Sequence, residues 1–240
     1  MVLVAMTLAG IVILAGGNSK RMGSPKAKLT LPSGETLLDY HVRHAIPLNV
    51  PIMIADNKRG FEVDKKVATE FKTSIFHIED YVPSDQSTDS NNISNNKNDG
   101  QQIETGGALV AIESALQALS TLNQSAAAQA VSSHYLLVIS CDSLISAPNL
   151  WQQLSASMTP HQEDKSVVCL SDDRHLYPLL GLYSLSIEPE LRAYIDSGQR
   201  RVMRFIDPIC QTVTFDPQWQ SLTNFNTPED FAKACQALYR

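Results

Sequence analysis

The chain has 240 residues, 43% of them hydrophobic and 18% charged, with a formal charge of -6 and a pI near 5.5. That length and apolar content suffice for one α/β domain, residues 1–240, with its own core, and do not require a second. The acidic balance gives no electrostatic reason to expect duplex nucleic acid as a partner. The four cysteines form no C-x-x-C, which fits reduced cytoplasmic thiols better than a disulfide or zinc framework.

Residues 1–14 are apolar enough to imitate a signal peptide, but no basic residue precedes Lys20 and the run passes straight into a glycine loop. They read as a first strand with a short leader, and the run is too short, and too broken by Gly10, to span a membrane. Residues 11–14 form the continuous aliphatic run of a strand buried on both faces of a parallel sheet. Gly16 and Gly17 then end it. Glycines at the carboxyl end of such a strand let backbone N–H groups approach a phosphate, although a tight turn would use the same residues. Lys20, Arg21 and Lys26 add cationic side chains to this loop, which points to a small phosphorylated ligand. The spacing is neither G-x-G-x-x-G nor G-x-x-x-x-G-K-[ST], so a dinucleotide fingerprint and a Walker loop are both excluded.

Residues 29–31 predict a short strand and 32–34 a turn. Leu38, Val42 and Ala45 predict an amphipathic helix over 36–46, and 51–54 and 74–78 predict two further strands with Asn57 and Asp80 beyond their ends. Strands alternating with helices give the expected fold class: a Rossmann-like, doubly wound, mostly parallel α/β sheet. Residues from about 83 to 103 change to Ser, Asp, Asn and Gln and read as a disordered surface insertion. Gly106 and Gly107 open a helix whose Leu109, Ile112, Leu116 and Leu119 share one face; an anion site and a plain turn explain these glycines alike.

Residues 135–139 predict a strand that delivers Asp142 to its carboxyl end. There the carboxylate suits Mg²⁺, or else caps the helix that starts near Pro148. Residues 167–170 and 178–183, joined by a polar turn, predict a small antiparallel element towards the C-terminal half. Pro189 and Gly198 bracket a helix over 190–197. Arg200 and Arg201 follow, either a solvated face or a clamp for an anion. Thr227 and Pro228 begin a last helix with Phe231, Cys235 and Leu238 on its buried face. Asn224 and Asn226 precede it, and on a strand these alternate residues would address one ligand.

Leu14-Ala15-Gly16-Gly17-Asn18-Ser19-Lys20-Arg21-Met22-Gly23-Ser24-Pro25-Lys26 resembles the opening motif of the small nucleotidyltransferases that activate sugars, polyols and cofactors. Ser140-Cys141-Asp142 resembles their strand-end acidic motif, and Asn224-Phe225-Asn226-Thr227-Pro228 their Asn-x-Asn-Thr-Pro. Within the family, Gly198-Gln199-Arg200-Arg201-Val202 is most similar to the molybdenum cofactor guanylyltransferases. The loop at Gly106 lacks the family's proline and second glycine, and Ala55 stands where the family has an Asn, with Asn57 two residues on.

The resemblance implies transfer of GMP from GTP to the phosphate of molybdenum-molybdopterin, with Mg²⁺ as cofactor and pyrophosphate released. It implies a nucleotide site at Leu14, Ala15, Gly16, Gly17, Lys26, Asn57, Asp80, Gly106 and Asp142, with Asp142 on the metal. Lys26, Arg21 and Asp142 would be catalytic, and Arg200, Arg201, Asn224 and Asn226 would meet the pterin. A cytoplasmic enzyme is implied, in transient contact with other cofactor-biosynthesis proteins and with neither nucleic acid nor membrane as a partner. A cytidylyltransferase for the same pterin, a sugar-phosphate nucleotidyltransferase and a non-catalytic nucleotide-binding module are the alternatives.

Overall fold

The structure is a computed structural model that describes residues 6–17, 19–69, 73–82, 107–123, 134–158 and 165–239. The insertion expected at about 83–103, and Gly106, lie outside the described residues.

The aliphatic run becomes β1 (Thr7–Leu14), in which Ile11, Val12 and Ile13 have no exposed surface. Each such side chain contributes roughly 1.5–3 kcal/mol by burial. Alternation along the strand sends Ile11 and Ile13 to one face and Val12 to the other, so β1 must be covered on both sides. It pairs in parallel with β2 (Ile52–Ala55) and β4 (His134–Ser140), and β3 (Ile75–His77) adds to β2. The expected antiparallel element is the hairpin of β5 (Val167–Ser171) and β6 (Leu176–Ser184), with β6 antiparallel to both β4 and β5. Asp172 organises its turn by accepting from the amides of Arg174 and His175 and from the Tyr177 hydroxyl at 2.7–2.8 Å. A strand that the sequence did not announce, β7 (Cys210–Thr214), pairs in parallel with β5 and closes the order β3-β2-β1-β4-β6-β5-β7.

Helices cover both faces. On one, α1 (Leu37–Ala45), α2 (Lys65–Thr69), α4 (Ala147–Ala156) and α7 (Pro228–Leu238) join the core of Ile11, Ile13, Ile54 and Leu137. On the other, α3 (Ala108–Asn123), α5 (Glu188–Asp196) and α6 (Val202–Ile206) pack on Val12, Met53, Leu136 and Val138. The doubly wound expectation is thereby met. One element is corrected: residues 29–31 form no strand, only an isolated bridge between Thr30 and Thr36 across the turn that follows. That bridge is made by the Leu31 amide on the Glu35 carbonyl at 2.9 Å and the Leu37 amide on the Leu29 carbonyl at 2.8 Å, and no further rung follows because α1 already starts at Leu37.

Candidate active site

From β1 the chain runs outward through β2 and β3, then crosses back to β4 on the other side of β1. The carboxyl ends of β1 and β4 are therefore the point where strand order reverses, the place at which open α/β sheets bind ligands. A cavity of about 310 Å³ lies there. The first loop lines it with Leu14, Ala15, Gly17, Arg21 and Lys26, the end of β4 with Ser140 and Asp142, and Leu179 and Asn226 complete the wall.

The loop is held by its own short turns. Buried Met22 anchors a single 3-10 turn, Lys20–Met22, that places exposed Arg21 on the cavity, and Gly23 ends it in a left-handed conformation at φ 69°. A second 3-10 turn, Lys26–Lys28, starts after Pro25, and the Lys26 amide donates to Ser19 Oγ at 3.3 Å. The Lys26 ammonium, 15% exposed, then donates to Asn226 Oδ1 at 2.9 Å and lies 3.5 Å from Asp142 Oδ2. It also stands 5.7 Å from the centre of the Phe225 ring. Three segments that the sequence treats as separate motifs thus converge on one lysine.

Asp142 does not cap a helix. The α4 N-cap is Ser146, and the Ile145 amide is satisfied by Ser143 Oγ at 3.0 Å, so the Asp142 carboxylate faces the cavity. The loop carrying it is tied to the Asn224 segment by a bridge between Ser143 and Thr223 and by the Leu144 amide on the Leu222 carbonyl at 2.7 Å. Behind it, on α1, His41 is fully buried and neither ring nitrogen has a hydrogen-bond partner among the described residues. Burial pushes its pKa down to about 4, which keeps it neutral.

Gly16 has a packing reason. A Cβ there would stand 3.1 Å from Asn57 Cβ, so the loop lies directly against the residues after β2. Asn57 and Lys58 both take left-handed backbone, at φ 55° and 59°, over buried Asp56, which accepts from the Phe61 amide at 2.9 Å. Asn57 therefore backs the loop and does not line the cavity. Arg59, which sequence reasoning missed, donates to the Gly17 carbonyl at 3.0 Å, and nothing in its local pattern signals this.

The other expected residues lie elsewhere. Asp80 lines a separate groove between the end of β3 and α3, together with Tyr81, Ser114 and Gln117. Arg200 donates to the carbonyls of Ile195 and Gln199 at 2.6 and 2.7 Å, closing the end of α5. Arg201 is exposed at the N-cap of α6, and neither arginine lines the cavity. Asn224 and Asn226 do come together, but on no strand. Asn224 has φ 56°, and this left-handed kink lets Asn226 Nδ2 donate to both its Oδ1 and its carbonyl, at 3.0 and 3.1 Å. The expected strand alternation is thus corrected to a turn.

Among the described residues no group of three or more His, Cys, Asp or Glu could hold a metal. A single strand-end carboxylate still fits Mg²⁺, which is usually held by one or two carboxylates together with substrate phosphates.

Residues 11–81 match the family model described as the MobA-like NTP transferase domain. A molybdenum cofactor guanylyltransferase of Haemophilus influenzae (strain 86-028NP) is 25% identical over 224 residues, covering 92% of this chain and 95% of that protein. The solved structure of molybdopterin-guanine dinucleotide biosynthesis protein A from Archaeoglobus fulgidus superposes with a TM-score of 0.61 at 18% identity, covering 96% of this chain and 98% of that one. The 4-diphosphocytidyl-2C-methyl-D-erythritol synthase of Anaerococcus prevotii has the same fold, with a TM-score of 0.57 at 12% identity, over 98% and 99% of the two chains. With its glycine loop, Lys26 and Asp142 on one cavity, the chain is similar to the MobA-like NTP transferases over residues 11–81 and has the α/β fold of nucleotidyltransferases.

Proposed function

We propose that the protein is a nucleotidyltransferase that moves GMP from GTP to the terminal phosphate of molybdenum-molybdopterin and releases pyrophosphate. The observation that carries the reading is the convergence of Lys26 and Asp142 on the cavity at the ends of β1 and β4. The relatives that cover more than nine-tenths of the chain and bear the guanylyltransferase name support the choice of substrates. The acceptor phosphate is already an anionic nucleophile, so no general base is required and catalysis reduces to holding two anions in line. Backbone amides around Gly17 cradle the triphosphate, Lys26 and Arg21 neutralise it, and Asp142 would hold Mg²⁺. Bound there, the ion would offset charge developing at the α-phosphate and the leaving pyrophosphate.

Leu179 gives the cavity an apolar wall on the β6 side, suited to the flat face of a pterin. The reading makes the protein a single-domain enzyme of the cytoplasm. Its four free cysteines agree with this, and no helix among the described residues is long and apolar enough to cross a membrane.

The experiment is pyrophosphate release with Mg²⁺ and molybdenum-loaded pterin, comparing GTP, CTP and ATP while nucleotide attachment to the pterin is followed. Selective GMP attachment is expected. Preference for CTP would make the enzyme a cytidylyltransferase, and release only with phosphorylated sugars would move it to the sugar branch.

A further inference from the structure

We propose that Asn226, oriented by Asn224, is a positioning residue for Lys26 that holds the ammonium off Asp142 and so keeps both groups available to the nucleotide. This rests on the reading of Lys26 and Asp142 as the nucleotide and metal residues, and it takes the asparagine pair away from the pterin.

The amide of Asn226 is fully committed. Its oxygen accepts from Lys26 Nζ at 2.9 Å, within the range of a charge-assisted hydrogen bond, and its nitrogen donates to both acceptors of Asn224. Flipping it would turn N–H groups towards an ammonium that can only donate, so the geometry allows one orientation. Asn224 makes this possible by adopting φ 56°, a region in which asparagine is among the few tolerated side chains. The segment is held on either side. Phe225 is 1% exposed and packs on Phe231 with ring centres 5.2 Å apart, while Thr227 caps α7 by accepting from the Asp230 amide at 3.2 Å.

Lys26 has two acceptors in reach, a neutral amide oxygen at 2.9 Å and a carboxylate at 3.5 Å, and it sits nearer the neutral one. Coulomb attraction alone would favour the carboxylate. With Asn226 gone, the ammonium closes on Asp142, and the lysine and the carboxylate then satisfy each other instead of phosphate and metal. The asparagine pair thus acts on the nucleotide half of the reaction, through a lysine 200 residues earlier in the chain.

The test uses Asn226→Ala, Asn224→Gly and Lys26→Met in the full chain. Binding of GTP with Mg²⁺ is titrated calorimetrically without acceptor, and KM for the pterin is measured separately. Asn226→Ala is expected to weaken nucleotide binding about tenfold, equivalent to ~1.4 kcal/mol, with pterin KM unchanged. Asn224→Gly keeps the left-handed backbone and the carbonyl acceptor, so it is expected to weaken binding only two- to threefold. A raised pterin KM with nucleotide affinity intact would overturn the proposal.

A second readout needs no ligand. In thermal unfolding, the losses from Lys26→Met and Asn226→Ala are expected not to add in the double variant, because they remove the same contact. Strict additivity overturns the positioning role even where Asn226→Ala binds nucleotide poorly. If the wild type binds nucleotide but uses another acceptor, the choice of pterin fails while the positioning of Lys26 stands or falls on these two measurements.

Discussion

Leu14 and Ser140 are register partners on the last rung that β1 shares with β4, and the Cys141 amide donates to the Leu14 carbonyl at 3.3 Å. That rung fixes where the glycine loop and the acidic loop begin, so their side chains meet without either loop needing intrinsic rigidity. Removing one transition-state electrostatic contact typically costs a factor of about 100–1,000 in kcat. Asp142→Ala and Lys26→Ala are each expected to lose at least ~100-fold in nucleotide transfer while keeping the wild-type circular dichroism spectrum. Near wild-type turnover by either folded variant would remove that residue from the mechanism.

The two glycines of the loop separate packing from ligand approach. At Gly16 an added Cβ meets Asn57 Cβ at 3.1 Å, so Gly16→Ala must push the loop from the β2 end and is expected to cost ~1 kcal/mol of stability. At Gly17 an added Cβ meets nothing within 4 Å, so Gly17→Ala is expected to leave stability within about 0.5 kcal/mol. If phosphate lies against this backbone, Gly17→Ala still weakens GTP binding, by roughly tenfold. Chemical denaturation and calorimetry on the same two variants check both halves. An unstable Gly17→Ala would refute the open-space argument.

The site was legible where chemistry coincides with strand ends, and hidden where it depends on backbone handedness or distance. Residues 11–14 announced β1 because both of its faces are buried, and Asp142 was found because it follows a run of the same kind. β7 gave no such signal: it is an edge strand on which only Val213 is buried, so neither alternation nor a continuous apolar run marks it. The left-handed turn at Asn224 could not be distinguished from a strand by residue type, and two asparagines at alternate positions suggested the wrong geometry for the right proximity. For Arg200 the residue pattern left a solvated face and an anion clamp both open, because an exposed arginine pair serves either. In the fold its guanidinium is occupied by the carbonyls at the end of α5.

Thr227 links stability to the Asn226 segment. Its hydroxyl accepts from the Asp230 amide, and the Asp230 carboxylate in turn accepts from the Asn226 amide at 3.5 Å. Thr227→Ala is expected to cost ~1 kcal/mol as a lost N-cap, whereas Thr227→Ser should keep most of it. Urea midpoints measured on both would show this, and equal midpoints would mean that the cap is not what starts α7.

Two buried groups on opposite faces of the sheet give stability opposite slopes with pH. Glu113 on α3 is fully buried, with Oε1 on Arg192 Nε at 2.9 Å and Oε2 without a hydrogen-bond partner among the described residues. Burial raises its pKa to about 7 from an ordinary 4.5, against the pull of Arg192 and with help from neighbouring Glu188. Between those values the folded protein holds a proton that the unfolded chain has lost, so this contribution to stability is complete below about 4.5 and is lost as pH rises through about 7. His41 does the reverse. Burial lowers its pKa from 6.5 to about 4, so its contribution is complete above about 6.5 and is lost as pH falls through about 4.

In the wild type the two slopes oppose each other across the shared window, and single variants should expose each of them. Glu113→Gln is expected to uncover the His41 slope, so that stability rises with pH up to about 6.5 and then stays level, and to raise Tm at pH 8 by roughly 3 °C. His41→Leu is expected to remove the loss between pH 6.5 and 4 and to leave the Glu113 slope uncovered. Tm measured from pH 4 to 8 for the three proteins decides it, and a Glu113→Gln profile parallel to that of the wild type would show that Glu113 titrates normally.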